Sequence, residues 1–169
     1  MTKISNWDIT VPYQWTPGPV LGTFLGGLRE KTITGVKCNS CGKIYVPPQD
    51  LCRDCLEDMQ VENFVEVKPE GTVEGFVKIR QNFFGERPSK EYLSERISPA
   101  DIDKHPLLWF PETPYVVAMI KLDGADTCML HLVKGADMDN LKIGSRVGAV
   151  WKEETIGHIM DIDCFKITE

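Results

Sequence analysis

Long apolar runs are missing from this sequence. No stretch approaches the roughly 18 uncharged apolar residues that a membrane span needs, and Met1 to Thr10 has no apolar core of the signal-peptide kind. A cytoplasmic protein with no membrane partner is therefore expected. Runs of lysine and arginine are missing too. The 169 residues carry a formal charge of −6 and a pI near 5.1, which repels a phosphate backbone unless positive charge is concentrated in one place. No nucleic-acid partner is expected. A phosphate-binding glycine loop, a nucleophile elbow and an HExxH pair are all absent. Histidine is scarce, and His105, His131 and His158 stand far apart. The carboxylates are numerous but scattered; Asp161 and Asp163 alternate in a strand pattern and are expected on a solvated side. The sequence offers no active site of its own.

Cysteine, by contrast, is arranged. Cys38-x2-Cys41 and Cys52-x2-Cys55 are separated by ten residues. Each pair can form a tight knuckle whose two sulfurs reach one ion, and two knuckles complete a tetrahedron at about 2.3 Å from sulfur to zinc. Gly42 follows the first pair, where the knuckle favours an open backbone conformation. Lys37, Lys43 and Arg53 lie close enough in sequence to offset the negative centre. A reducing compartment favours metal over two disulfides. Structural zinc is the expected ion, with a redox-active iron centre as its rival. A closed four-thiolate site leaves no position for substrate, so catalysis at the metal is not expected. Cys128 and Cys164 sit inside strand patterns, where a free cysteine acts as a small apolar residue. His131, at i+3 from Cys128, is expected on the opposite face of its strand.

The chain divides into three expected parts. Residues 1–31 form an N-terminal helical segment, 32–60 the metal module, and 61–169 a β domain with an insertion at 80–114. In the first part, Thr16 reads as an N-cap with Pro17 at the first helical position, and Val20, Phe24 and Leu28 fall on one face. Thr32 to Lys37 and Ile44 to Val46 read as strands around the first knuckle. Five further strands are expected at Gly71 to Ile79, Tyr115 to Leu122, Asp126 to Val133, Arg146 to Trp151 and Ile159 to Ile167. In the first of these, Val73, Gly75, Val77 and Ile79 alternate with Thr72, Glu74, Phe76 and Lys78. Asp123-Gly124 signals a hairpin after the second, and the shift of apolar phase at Phe165 signals a bulge in the last. Five short strands in about 100 residues suggest a small closed barrel, for which the OB-fold has the right count. The insertion is rich in aromatics, and a short helix is expected from Ser98 to Asp103.

Several motifs, taken in order, resemble the DUF35 family. They are Phe24-Leu-Gly-Gly-Leu-Arg-Glu30, Cys38-Asn-Ser-Cys41-Gly42, Tyr45-Val-Pro-Pro48 ahead of Cys52-Arg-Asp-Cys55, Gly71-Thr-Val-Glu-Gly-Phe76, Pro114-Tyr115 and Leu141-Lys-Ile-Gly144. The resemblance spans nearly the whole chain. It implies a mainly β protein with an N-terminal helical segment, a rubredoxin-like zinc ribbon and a five-stranded OB-fold barrel. It also implies zinc on Cys38, Cys41, Cys52 and Cys55, and a non-catalytic subunit role beside a thiolase-type enzyme handling acyl-CoA. A thiolase acting on an aromatic substrate such as benzoylsuccinyl-CoA is one such partner. Within that reading Arg80, Phe83, Phe84, Trp109 and Phe110 are candidates for contact with the partner or with CoA, since an aromatic plane stacks on adenine and a guanidinium suits phosphate. The rival functions are a single-stranded nucleic-acid module and a rubredoxin-like redox protein.

Overall fold

The computed structural model describes residues 16–80, 94–95, 113–134 and 137–168. Helix α1 spans Pro19–Arg29, with Pro19 rather than Pro17 in its first turn and Gly18 rather than Thr16 as its cap. A proline suits the first turn because it has no N–H to leave unpaired there. Val20, Phe24 and Leu28 form the buried stripe, as their spacing requires. The expected short helix at 98–103 lies outside the described residues.

Strands β1 (Ile33–Lys37), β2 (Ile44–Tyr45) and β3 (Phe64–Val67) form a three-stranded antiparallel sheet in the order β2-β1-β3. Five strands then close into a barrel: β4 (Glu70–Ile79), β5 (Tyr115–Leu122), β6 (Cys128–Val133), β7 (Arg146–Trp151) and β8 (Ile162–Ile167). Their order is β4-β5-β6-β8-β7, with β7 returning to pair with the start of β4. All pairings are antiparallel except that of β6 with β8. This is the Greek-key barrel of the OB-fold. Gly71 sits where β4 meets β5 at the closure, and a Cβ there would collide with the backbone at Lys121 and Leu122. A short helix, α2 (Asp137–Asn140), lies between β6 and β7.

Two bulges interrupt the barrel strands, the first against the sequence reading and the second in line with it. Val73 pairs with Ile120 and Gly75 with Met119, so Glu74 is the extra residue of β4. A one-residue slip turns every later side chain over. The regular alternation therefore fails halfway: Phe76 packs against the core, while Val77 is 53% exposed. In β8 the register slips between Val150 and Trp151, with Asp163 as the extra residue, where a bulge is expected from the shifted phase. The stretch before β8 is a 3-10 turn, Ile159–Asp161, rather than strand.

That turn carries a second correction. Asp161 is not solvated but buried, and its Oδ2 accepts N–H bonds from Ile156, Gly157 and His158 at 2.7–3.1 Å. Only Asp163 fits the solvated reading, half-exposed and paired with Lys134 at 2.7 Å. A buried carboxylate needs such compensation, since an unpaired one is costly. His131 reinforces the same turn from β6: its Nε2–H donates to the Ile159 carbonyl at 3.2 Å, and its Nδ1 accepts from Leu132 N–H at 2.9 Å.

Burial holds the pKa of His131 below the usual imidazole value. An unfolded chain therefore takes up the proton first, near pH 6.5. The stabilising contribution is complete above that pH and declines as the pH falls towards the folded value, by at most about 1.4 kcal/mol per pH unit. Denaturation midpoints at pH 7 and pH 5 are expected to fall more for the native chain than for His131→Gln. Equal falls would show that His131 does not titrate with unfolding.

Ribbon and barrel share one core. Phe24 and Leu28 of α1, Ile33 and Val46 of the ribbon, and Val73, Ile120 and Phe165 of the barrel belong to a single buried cluster. The β5–β6 turn ties them further. Asp126 N–H donates to the Ile44 carbonyl at 2.8 Å, and Asp126 Oδ2 accepts from Ile44 N–H at 2.9 Å. Thr127 Oγ1 accepts from Val46 N–H at 2.8 Å and donates to its carbonyl at 2.9 Å. The edge of β2 is thus satisfied by the barrel rather than left open.

Candidate metal centre and barrel mouth

The four cysteines of the two CxxC pairs come together. All their sulfurs lie within 4.8 Å of one another, with Cys38–Cys55 at 3.5 Å, Cys41–Cys52 at 3.6 Å and Cys52–Cys55 at 3.3 Å. Tetrahedral bonding at about 2.3 Å puts the sulfurs about 3.8 Å apart, so four thiolates fit one ion with little adjustment. The donor set is all sulfur, which selects zinc or iron over hard cations. Cys38 and Cys52 are buried, while Cys41 and Cys55 face solvent.

The two knuckles are built alike. Gly42 N–H bonds to the Cys38 carbonyl at 2.9 Å, and Leu56 N–H bonds to the Cys52 carbonyl at 3.0 Å. Cys38 N–H reaches the Lys43 carbonyl at 2.8 Å, and Cys52 N–H reaches that of Glu57 at 2.9 Å. Both turns need a left-handed residue, and the values are φ 76° at Gly42 and φ 57° at Leu56. Glycine adopts this freely; leucine does so at a cost of about 1–2 kcal/mol.

Tyr45 is the residue of the site that the spacing did not reveal. It lies on β2 between the knuckles, buried, with its hydroxyl 3.3 Å from Cys52 Sγ and accepting Arg53 N–H at 3.3 Å. Its hydroxyl, aided by backbone N–H groups, holds the Cys52 thiol down to about 6, towards the thiolate a metal requires. A tyrosine in the strand between two CxxC pairs is the available sequence signal. Of the nearby basic residues, Lys43 pairs with Asp54 and also feels the charge of the Cys41 sulfur, while Arg53 Nε–H donates to Gln49 at 3.0 Å.

Neither remaining cysteine is disposed as a nucleophile. Desolvation pushes the buried Cys164 thiol up to about 11, and burial likewise raises Cys128. His131 is buried on the face opposite Leu130, with both ring nitrogens engaged.

Of the expected contact residues, Arg80 is exposed at the end of β4 and lines a cavity of about 360 Å³ with Lys78, Pro114, Tyr115, Val116 and Asp139. Lys78 reaches Asp139 at 3.3 Å. Phe83, Phe84, Trp109 and Phe110 lie outside the described residues.

Fold and site together define a zinc-ribbon protein with an OB-fold barrel. Residues 26–62 match the family model for the ChsH2 rubredoxin-like zinc ribbon domain, and residues 102–152 match that for the ChsH2 C-terminal OB-fold domain. These matches support a DUF35 family protein. It is 24% identical over 120 residues to a DUF35 domain-containing scaffold protein of Methanocaldococcus jannaschii, an alignment covering 71% of this chain and 67% of that one. Among solved structures, a DUF35-family protein of unknown function from Sulfolobus solfataricus superposes with a TM-score of 0.56 at 21% identity, covering 89% of this chain and 84% of that one. A chain of the Ltp2-ChsH2(DUF35) aldolase gives 0.58 at 19% identity, covering 92% and 100%. Both likenesses concern the fold. No helix among the described residues is long and apolar enough to cross a membrane.

Proposed function

We propose that this chain is a non-catalytic accessory subunit of a thiolase-type acyl-CoA acyltransferase complex, carrying one structural zinc on Cys38, Cys41, Cys52 and Cys55. The observation that carries this reading is a closed four-sulfur site fused through a shared core to a barrel. Such a metal holds the ribbon's shape and has no open position for chemistry. Among the described residues no nucleophile lies beside a free base. The partner supplies the catalytic groups, and this chain organises the assembly. The naming of one relative as a scaffold protein, and of a fold neighbour as part of an aldolase with Ltp2, supports that role.

The barrel mouth suits a contribution to CoA binding. Arg80 lines a cavity of about 360 Å³ in which Lys78 is paired with Asp139, and a guanidinium engages phosphate bidentately. The outward face of β4, β5 and β6 does not suit a nucleic-acid groove: Val77, Met119 and Leu130 are exposed there, whereas such grooves interleave aromatics with cations.

The test is gentle purification of the tagged chain from its native host, with mass spectrometry of what co-elutes. A stoichiometric thiolase-type subunit, with zinc and no visible absorbance, is the expected result. Recovery of the chain alone at every ionic strength overturns the reading, and a coloured iron centre overturns the zinc.

A further inference from the structure

We infer that the tip of the second knuckle, centred on Leu56, is a docking point that inserts into an apolar pocket rimmed by basic side chains on the partner subunit. The inference rests on the accessory-subunit reading and goes beyond it by naming the surface and the chemistry that it fits.

Three independent features meet at Leu56. Its backbone is left-handed, with φ 57°, at the position where the matching knuckle has Gly42. The knuckle turn itself imposes that conformation, and glycine would adopt it without cost, so the backbone does not select a leucine there. The side chain is 71% exposed and belongs to neither buried cluster, so packing among the described residues does not account for a leucine. Leu51, on the other flank of the same knuckle, is 43% exposed and also lies outside both clusters. An apolar side chain raised on a rigid turn loses little conformational freedom when a partner buries it.

The charge around it specifies the partner. Residues 50–62 carry the exposed carboxylates Asp50, Asp54, Glu57, Asp58 and Glu62 against a single exposed cation, Arg53. Lys43 offsets Asp54 from across the site. The tip is therefore an apolar point in an acidic surround, and its complement is an apolar pocket with lysine or arginine at the rim. A second copy of this chain is a poor match, since the same acidic surfaces would face each other.

The test uses the full zinc-loaded chain and the thiolase-type subunit recovered with it, with affinities measured by titration calorimetry. Leu56→Gly is expected to weaken the complex about tenfold or more, while the melting temperature of the isolated chain holds or rises by about 2 °C as strain is relieved. Asp58→Lys is expected to weaken it as well and to flatten its dependence on salt. Unchanged affinity for Leu56→Gly overturns the inference and leaves the accessory-subunit reading standing. A lowered melting temperature with intact affinity also overturns it and assigns Leu56 to the fold. Failure to recover any thiolase-type subunit removes both readings. If Leu56→Gly instead halves the mass of this chain in sedimentation, the tip meets a second copy and the basic-partner inference is wrong.

Discussion

Removing the metal is expected to unfold the ribbon and to loosen the barrel with it. A structural zinc in a small ribbon contributes about 10–16 kcal/mol of folding free energy near neutral pH, more than the stability of most domains, about 5–15 kcal/mol. The secondary cluster beneath the site comprises Val20, Val36, Tyr45 and Met59 with Cys38 and Cys52 themselves, so the ligands are also core residues. Loss of the ion removes the link between the two knuckles and frees Cys38 and Cys52 from the packing of that cluster. Cys52→Ser is expected to act almost as severely, because Cys52 is buried and takes the Tyr45 hydroxyl as its neighbour. Acid has the same direction, since each ligand must shed a proton to bind and protons compete with the metal. Circular dichroism with a high-affinity chelator, followed by zinc readdition, measures this. An unchanged spectrum in metal-free protein would falsify a structural role for the ion.

The second large effect is expected at Phe24. This side chain is 1% exposed and touches the joint core of helix, ribbon and barrel. Phe24→Ala is expected to cost about 3–5 kcal/mol, the range for deleting a buried aromatic. Helix α1 has little stability of its own, because Gly22, Gly26 and Gly27 lie within its eleven residues and each costs about 1 kcal/mol relative to alanine. Its order comes from the face that it buries. Gly26→Ala gives the opposing control. A Cβ there meets nothing within 4 Å, so it should stabilise the chain by about 1 kcal/mol. Gly27 is unsuitable, since its Cβ would lie 3.2 Å from the Thr32 carbonyl oxygen. Denaturant midpoints of the zinc-loaded protein decide the matter, and a loss under about 1 kcal/mol for Phe24→Ala would mean that the interface repacks freely.

Much of this architecture is legible in the sequence because its strongest signals are periodic or punctuated. Tyr115 to Leu122 is strand end to end, as its apolar run indicates, and Asp123-Gly124 turns the chain with Gly124 at φ 94°. The metal centre was legible because knuckle geometry depends almost wholly on spacing. What escaped reading was set by tertiary contacts. Nothing local tells that Glu74 is extruded and that Phe76 rather than Val77 turns inward. Asp161 has the same neighbours as a solvated aspartate, and only the folding back of Ile156 to His158 supplies three donors that make its burial tolerable. The cap of α1 was misread because two prolines, Pro17 and Pro19, compete for the first turn, and the chain uses the second.

The clasp between Asp126, Thr127 and β2 has a mechanical meaning. Four hydrogen bonds of 2.8–2.9 Å fasten the metal-bearing ribbon to the barrel, so the knuckle tip and the barrel mouth are held as two points of one stiff ruler. A partner that grips one end meets the other at high effective concentration, because no linker entropy remains to be lost. Two weak contacts on such a ruler act as one strong one, and only for a surface whose own two footholds stand at the matching distance.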